Sequence, residues 1–125
     1  MAKTKRVLVV DDESSIRDTL ADAFAFEGYE VLTATNGAVA LDLVRAHLPD
    51  VVVLDLMMPV MSGWQFLEAC ATEKLCAETP VLVMSASRRL NEDASKLGFT
   101  AIIAKPFDLD VMLAAVDRLA HKRGG

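Results

Sequence analysis

Residues 7–12 read VLVVDD, four apolar residues followed at once by two aspartates. Residues 51–55 read VVVLD and repeat the arrangement, with an apolar run that ends on Asp55. Short runs rich in β-branched residues are typical of buried strands. Two such strands that both finish in carboxylates predict three acids at one edge of a sheet. Carboxylate oxygens gathered there are suitable ligands for a hard cation.

Short apolar runs alternate with longer amphipathic stretches five times along the chain, which predicts a repeated β–α order. Strands are predicted at residues 7–10, 29–34, 51–54, 81–84 and 101–104. The three middle runs are apolar at successive positions, so we expect them to be buried on both faces. Continuous apolar strands separated by helices favour an α/β fold, a doubly wound parallel sheet covered by helices on both sides.

Apolar residues at helical spacing fill the gaps between the strands. The first helix is predicted to end before Gly28 and the second before Pro49. A third is predicted to run through residues 64–70, and the last to begin after Asp108 as its N-cap. Between Ser85 and Gly98 the apolar stripe is weak, which predicts a short or loose fourth helix.

The composition excludes several classes of protein. The length of 125 residues predicts a single domain, 1–125, with its core at about residues 5–121. The net charge of -5 argues against a nucleic-acid partner, because phosphate backbones are bound by clustered cations. No apolar run is long enough for a membrane span and no secretory signal is visible, so we expect a cytoplasmic protein without a membrane partner. Cys70 and Cys76 are too few for a disulfide framework and are predicted to be free thiols.

The functional crevice of an open parallel sheet lies beyond the carboxyl ends of its strands. Five polar residues of this chain follow predicted strands: Asp11, Asp12, Asp55, Ser85 and Lys105. Each alone has an ordinary explanation, such as a helix cap or a solvated charge, but their joint occurrence at four strand ends favours a site. Their chemistry suits phosphoryl transfer to Asp55, with a cation and Lys105 offsetting the negative charge and Ser85 donating its hydroxyl to a phosphoryl oxygen.

Four strings of the sequence resemble the receiver domains of bacterial two-component response regulators. In order and spacing they are VLVVDDE, VVVLDLMMPVMSG, VLVMSAS and IIAKPF, at residues 7–13, 51–63, 81–87 and 102–107. The resemblance covers nearly the whole chain, and a combination of four motifs is highly specific. It implies a flavodoxin-like fold, a three-layer α/β/α sandwich with five parallel strands in the order 2-1-3-4-5.

The resemblance also implies a metal site and an acceptor. Asp55 is similar in position to the phosphoacceptor of the family. Asp12 is similar to a direct Mg²⁺ ligand and Asp11 to a ligand through water, with the backbone carbonyl of Met57 completing the set. An apolar side chain at Met57, two residues after the acceptor, suggests the hypothesis that attack by water and loss of phosphate are slow.

Ser85 and Lys105 resemble the pair that senses the phosphoryl group, and Lys105–Pro106 resembles the cis-peptide site of the family. The chain departs from the family in having Ile102 where an aromatic residue is common, so aromatic rotation cannot carry the switch there. We hypothesise that phosphate draws Ser85 inward and reshapes residues 86–97, which follow it.

The leading functional interpretation is a phosphorylation-gated signalling module that acts on a partner instead of turning over a substrate. A sensor histidine kinase, or a histidine phosphotransfer protein, supplies the phosphoryl group to Asp55. An effector protein, or an output domain outside this chain, then responds, and a homodimer through the last helix is a further option. One alternative is a relay intermediate that passes the group on to a histidine phosphotransfer protein. Another is a metal-dependent phosphatase, disfavoured because the first strand lacks a nucleophile followed two residues later by a second aspartate.

Overall fold

The computed structural model describes residues 4–85 and 99–122. The predicted fourth helix, between Ser85 and Gly98, lies outside the described residues, as does the proposed switch segment 86–97. The described strands are β1 (Arg6–Val10), β2 (Glu30–Ala34), β3 (Val51–Asp55), β4 (Val81–Ser85) and β5 (Ala101–Ala104). The described helices are α1 (Ser14–Phe26), α2 (Gly37–His47), α3 (Gly63–Glu73) and α4 (Leu109–Lys122).

The five strands form one sheet in the order β2-β1-β3-β4-β5, and every neighbouring pair is parallel. This order confirms what the family resemblance implied. The chain reverses its direction of travel across the sheet between β1 and β3. In doubly wound folds, that reversal leaves a crevice beyond the carboxyl ends of these two strands.

Alternate residues of the central strands face opposite helical layers, as the two-residue period of a strand requires. One apolar cluster joins Val7, Val9, Val51 and Val53 to residues of α1 and α4. The other joins Leu8, Val10, Val52 and Leu54 to residues of α2 and α3. The three-layer sandwich is therefore confirmed, with one core on each face of the sheet.

One prediction about burial is wrong. The run that forms β2 was expected to be buried on both faces, but Glu30 and Thr33 are exposed and only Ala34 is fully buried. The reason is that β2 lies at the edge of the sheet, where it has a strand on one side only. The adjacent strand β1 is central, and all of its residues except Arg6 are buried.

The helix ends follow local capping chemistry. Asp108 accepts a hydrogen bond from the backbone N–H of Asp110 at 2.8 Å, which confirms it as the cap of α4. Asn36 caps α2 through bonds to two backbone N–H groups, and Ser62 forms a capping box with Gln65 at the start of α3. No helix among the described residues combines the length and the apolar character that a bilayer span needs.

The two cysteines correct a second prediction. Cys70 and Cys76 were expected to be free thiols, but the structure pairs them as a disulfide, with their Cα atoms 5.4 Å apart. Lys74 ends α3 in a left-handed conformation with φ of 58°, and Leu75 donates its backbone N–H to the carbonyl of Cys70. The resulting turn brings the chain back on itself, a feature that the cysteine spacing alone does not reveal.

Gly63 allows α3 to begin directly against the end of β3. A Cβ atom on Gly63 would lie 2.6 Å from the carbonyl oxygen of Asp55 and 2.7 Å from the Cα atom of Leu56. Both contacts are with backbone, which cannot move aside as a flexible side chain can. The absence of a side chain here therefore sets the distance between α3 and the strand that carries Asp55.

We expect Gly63→Ala to lower the free energy of unfolding by about 1–3 kcal/mol, the usual cost of forcing extra atoms into a packed site. Urea denaturation followed by circular dichroism measures the change. Glu68→Ala, at an exposed position of the same helix, serves as the control and should stay within about 0.5 kcal/mol of the wild type. Equal stability of the two variants would contradict the close packing at Gly63.

Candidate functional site

The register of the sheet brings Asp11 and Asp55 together. Val10 of β1 pairs with Leu54 of β3, so each aspartate is the next residue along its strand. Because side chains alternate, both aspartates lie on the side of the sheet that faces α1 and α4. Asp11 is fully buried and Asp55 is only 6% exposed.

Asp12 completes a cluster of three carboxylates. One oxygen from each of Asp11, Asp12 and Asp55 lies within 4.8 Å of the others. Asp12 is exposed while the other two are buried, so the cluster opens to solvent on one side. Carboxylates with one open side fit Mg²⁺, which binds one or two carboxylates and keeps several waters.

Lys105 lies against the two buried acids. Its Nζ atom is 3.4 Å from Oδ2 of Asp11 and 3.5 Å from Oδ1 of Asp55. Among the described residues it is the one cation with an ion pair to this cluster. When all four groups are ionised, two negative charges remain uncompensated, which is the charge of one divalent cation. The cluster therefore has both the donor atoms and the charge that such an ion requires.

The environment of Asp55 disfavours its ionised form when no metal is present. Burial raises the pKa of the Asp55 carboxyl above its ordinary value, and the charge of Asp11 raises it further. The ammonium group of Lys105 and the backbone N–H of Met57, 3.3 Å from Oδ1, act in the opposite direction. A divalent cation would strengthen that opposing effect, because it favours the carboxylate over the carboxylic acid.

Two residues that sequence reasoning missed hold Asp11 in place. Arg17 donates from Nη1 to the backbone carbonyl of Asp11 at 2.9 Å, and Glu13 donates its backbone N–H to Oδ1 at 2.8 Å. The helix dipole disfavours a cation in the first turn of a helix, so Arg17, near the start of α1, could have indicated a specific bond there. The bond to Asp11 explains why an arginine stands there.

The residues expected to sense phosphate end the two neighbouring strands. Met84 pairs with Asp55 in the sheet, and Ser85 follows it and is 8% exposed. The backbone N–H of Lys105 donates to the carbonyl of Ser85 at 2.9 Å. The Lys105–Pro106 bond is cis, which confirms the expectation from the family. All the predicted side chains therefore lie at one end of the sheet.

The loop after Asp55 borders the site with exposed apolar side chains. Met57 is 78% exposed and Val60 is 83% exposed. Val60 adopts φ of 68°, a left-handed conformation that is strained for a β-branched residue. The carbonyl of Met61 accepts a hydrogen bond from the backbone N–H of Gly37 at 2.8 Å, which ties the loop to the start of α2. The exposed side chain of Met57 thus lies on a loop that backbone hydrogen bonds anchor at both ends.

The raised pKa of Asp55 predicts a pH-dependent stability. In the unfolded chain the Asp55 carboxyl loses its proton at about pH 4, whereas in the folded protein it does so at a higher pH. Ionisation therefore favours the unfolded state, and the free energy of unfolding falls as the pH rises above about 4. We expect Asp55→Asn to raise the urea midpoint in the absence of divalent cations, and to raise it more at pH 7 than at about pH 4.

Asp42→Asn is the matched control, because the Asp42 side chain is 79% exposed. Its urea midpoint relative to wild type should change little between the two pH values. A gain from Asp55→Asn that is the same at both pH values, or larger at the lower one, would show that the carboxyl is not destabilised by its surroundings.

Comparison with known proteins gives one consistent family. The profile described as "Response regulator receiver domain" matches residues 7–117. The chain is 38% identical over 120 residues to the regulatory protein AtoC of Escherichia coli, and equally to the response regulator MprA of a Mycobacterium species. Each match covers 94% of this chain but only 26% of AtoC and 51% of MprA. The chain therefore spans about a quarter to a half of these relatives.

A solved structure gives the same result for the fold. The response regulator TrrA of Thermotoga maritima, determined in complex with Mg²⁺ and BeF, is 33% identical to this chain. Its TM-score is 0.81, and the match covers 93% of this chain and 99% of TrrA.

Proposed function

Because this chain belongs to the response regulator receiver domain family, we propose that Asp55 is the residue on which it accepts a phosphoryl group. Receiver domains are signalling modules of two-component systems, in which phosphorylation changes the interaction with a partner. The observation that carries the assignment is the cluster of Asp11, Asp12 and Asp55 with Lys105 bridging its two buried members. The proposed acceptor, Asp55, ends β3. This strand lies between β1, which precedes Asp11 and Asp12, and β5, which precedes Lys105.

The hydrogen bonds of Asp55 distinguish its two oxygens. Oδ1 accepts from the backbone N–H of Met57 and lies 3.5 Å from the Lys105 ammonium group. Oδ2 receives no hydrogen bond from the described part of the chain, so we assign it as the attacking atom. A bond forms between Oδ2 and phosphorus while the bond from phosphorus to the donor nitrogen breaks, and the leaving imidazole carries away its electron pair. The fixed position of Oδ1 orients the carboxylate for this in-line displacement.

Lys105 and Ser85 are proposed to act on the phosphoryl oxygens. The ammonium group of Lys105 already lies between Asp11 and Asp55, so it can pair with a phosphoryl oxygen after a small movement. Ser85 ends the adjacent strand and can donate its hydroxyl. A movement of these two side chains toward the acceptor is the local event that we propose to be transmitted to the partner surface.

We propose that Asp11, Asp12, Asp55 and the backbone carbonyl of Met57 hold Mg²⁺. The ion, when bound, supplies positive charge that offsets the repulsion between the carboxylates and the phosphoryl oxygens. This proposal is supported by the bond from Arg17 to the Asp11 carbonyl and by the register with β3, which hold Asp11 next to Asp55. The complex of TrrA with Mg²⁺ and BeF supports the same choice of ion here.

The partners follow from the same proposal. A sensor histidine kinase or a histidine phosphotransfer protein supplies the phosphoryl group, and an effector protein or an output domain outside this chain responds. Self-association is proposed through α4, where Val111 is 56% exposed.

We also propose that residues 1–125 form one domain with its core at 5–121, and that the only reactions it catalyses are its own phosphorylation and dephosphorylation. The location is proposed to be cytoplasmic, where kinases make phosphohistidine from ATP.

Acetyl phosphate tests the acceptor directly. We expect intact mass spectrometry to show a single phosphoryl adduct that forms with Mg²⁺ and not with EDTA. Hydroxylamine should remove the adduct, since it cleaves acyl phosphates and leaves phosphoserine intact. Asp55→Asn should abolish the adduct, whereas the exposed-site control Asp42→Asn should form it as the wild type does. A hydroxylamine-resistant adduct, or an undiminished one in Asp55→Asn, would exclude Asp55 as the acceptor.

The exposed side chain of Met57 predicts the lifetime of the phosphoryl group. Met57 is 78% exposed and its backbone N–H binds Oδ1 of Asp55, and we propose that its apolar side chain hinders an attacking water. We expect Met57→Ala to shorten the half-life of the phosphorylated protein several-fold, as measured by the decay of the mass adduct after acetyl phosphate is removed. Val60→Ala, which removes apolar surface from the same loop, should leave the half-life unchanged. A wild-type half-life of only seconds would contradict the shielding role.

A further inference from the structure

We propose that Cys70 and Cys76 are a modification site that forms a reversible disulfide by exchange with small-molecule disulfides. The site lies at the carboxyl end of α3. The opposite end of that helix, at Gly63, packs on the strand that carries Asp55. Cys70 lies seven residues after Gly63, about 10 Å along the helix axis, so the cysteines lie outside the acidic cluster.

The backbone is already arranged for the bond. The Cα atoms of the two cysteines are 5.4 Å apart, near the middle of the range that disulfides adopt. The left-handed Lys74 and the bond from the Leu75 N–H to the Cys70 carbonyl form the turn that creates this distance. The pair can therefore close without a rearrangement of the fold.

The two cysteine residues differ in their exposure to solvent. Cys70 is 1% exposed and packs in the core between α3 and the sheet. Cys76 is partly buried and lines an open cavity of about 250 Å³ with Thr79, Pro80 and Thr100. A reagent from solution can thus reach Cys76, while Cys70 is within reach of Cys76 itself. This difference sets the order of the reaction.

The exchange takes two balanced steps. The thiolate of Cys76 attacks one sulfur of a small disulfide, forms a mixed disulfide and expels one small thiolate. The thiolate of Cys70 then attacks the sulfur of Cys76 and expels the second small thiolate. The protein loses two electrons and two protons, and the small disulfide is reduced to two thiols. In a compartment rich in reduced glutathione the reverse reaction opens the bond, so oxidation is confined to oxidising conditions.

The test uses the reduced protein and oxidised glutathione. After incubation, acid quenching, denaturation and treatment with N-ethylmaleimide, intact mass spectrometry counts the remaining thiols. We expect a monomer two hydrogens lighter than the reduced protein, with no maleimide attached, and full recovery of both thiols with dithiothreitol. The oxidised form should also melt several degrees higher, because the bond restricts the unfolded chain. Two free thiols after prolonged oxidation, or disulfide-linked dimers, would overturn the proposal.

Two variants test the order of attack. Cys70→Ala lacks the second thiol, so we expect it to retain one glutathione on Cys76. Cys76→Ser keeps only the buried thiol and should form a glutathione adduct at least several-fold more slowly. Faster modification of Cys70 than of Cys76 would overturn the assignment of Cys76 as the entry point. The wild-type mass measurement needs no variant and decides the existence of the bond even if Cys70→Ala folds poorly.

Discussion

The burial of two like charges at the end of one sheet is the constraint on which the site depends. Asp11 and Asp55 are nearly inaccessible to solvent and lie on adjacent strands, so burial and the charge of Asp11 both raise the cost of ionising Asp55. Lys105 compensates for part of that cost from a third strand end. The three carboxylates and Lys105 therefore form a region of excess negative charge, which binding of a cation would stabilise. An ion-dependent acceptor of phosphate needs an unsatisfied charge of this kind.

The rest of the fold maintains this unfavourable arrangement by rigid packing. The parallel register fixes the two aspartates relative to each other, and apolar cores on both faces of the sheet hold that register. Close contact at Gly63 and the capping box at Ser62 fix the start of α3 against the end of β3. The loop that connects β3 to α3 includes backbone strain at Val60. The stability of the core thus offsets the electrostatic cost of the site.

Helix α3 connects two regions with different chemistry. Its first residue packs on the backbone of Asp55, and its last turn leads into the pairing of Cys70 with Cys76. The first region is a cluster of three carboxylates, whereas the second is a cysteine pair beside a cavity that Cys76 lines. Both occur where an element ends, because side chains and loops at such ends can be exposed without disturbing the core.

Patterns in the sequence were enough to predict the described strands and helices and the set of reactive residues. Apolar runs located all five strands to within about one residue, and the acids that end them identified Asp11, Asp12 and Asp55, because periodicity and strand ends are local properties. Strand order came from likeness to a family. The folded chain was needed to reveal the exposure of β2, the bond from Arg17 to Asp11 and the pairing of the cysteines. Each of these features depends on which residues and strands come into contact on folding. Hydrophobic periodicity and spacing in the sequence do not specify those contacts.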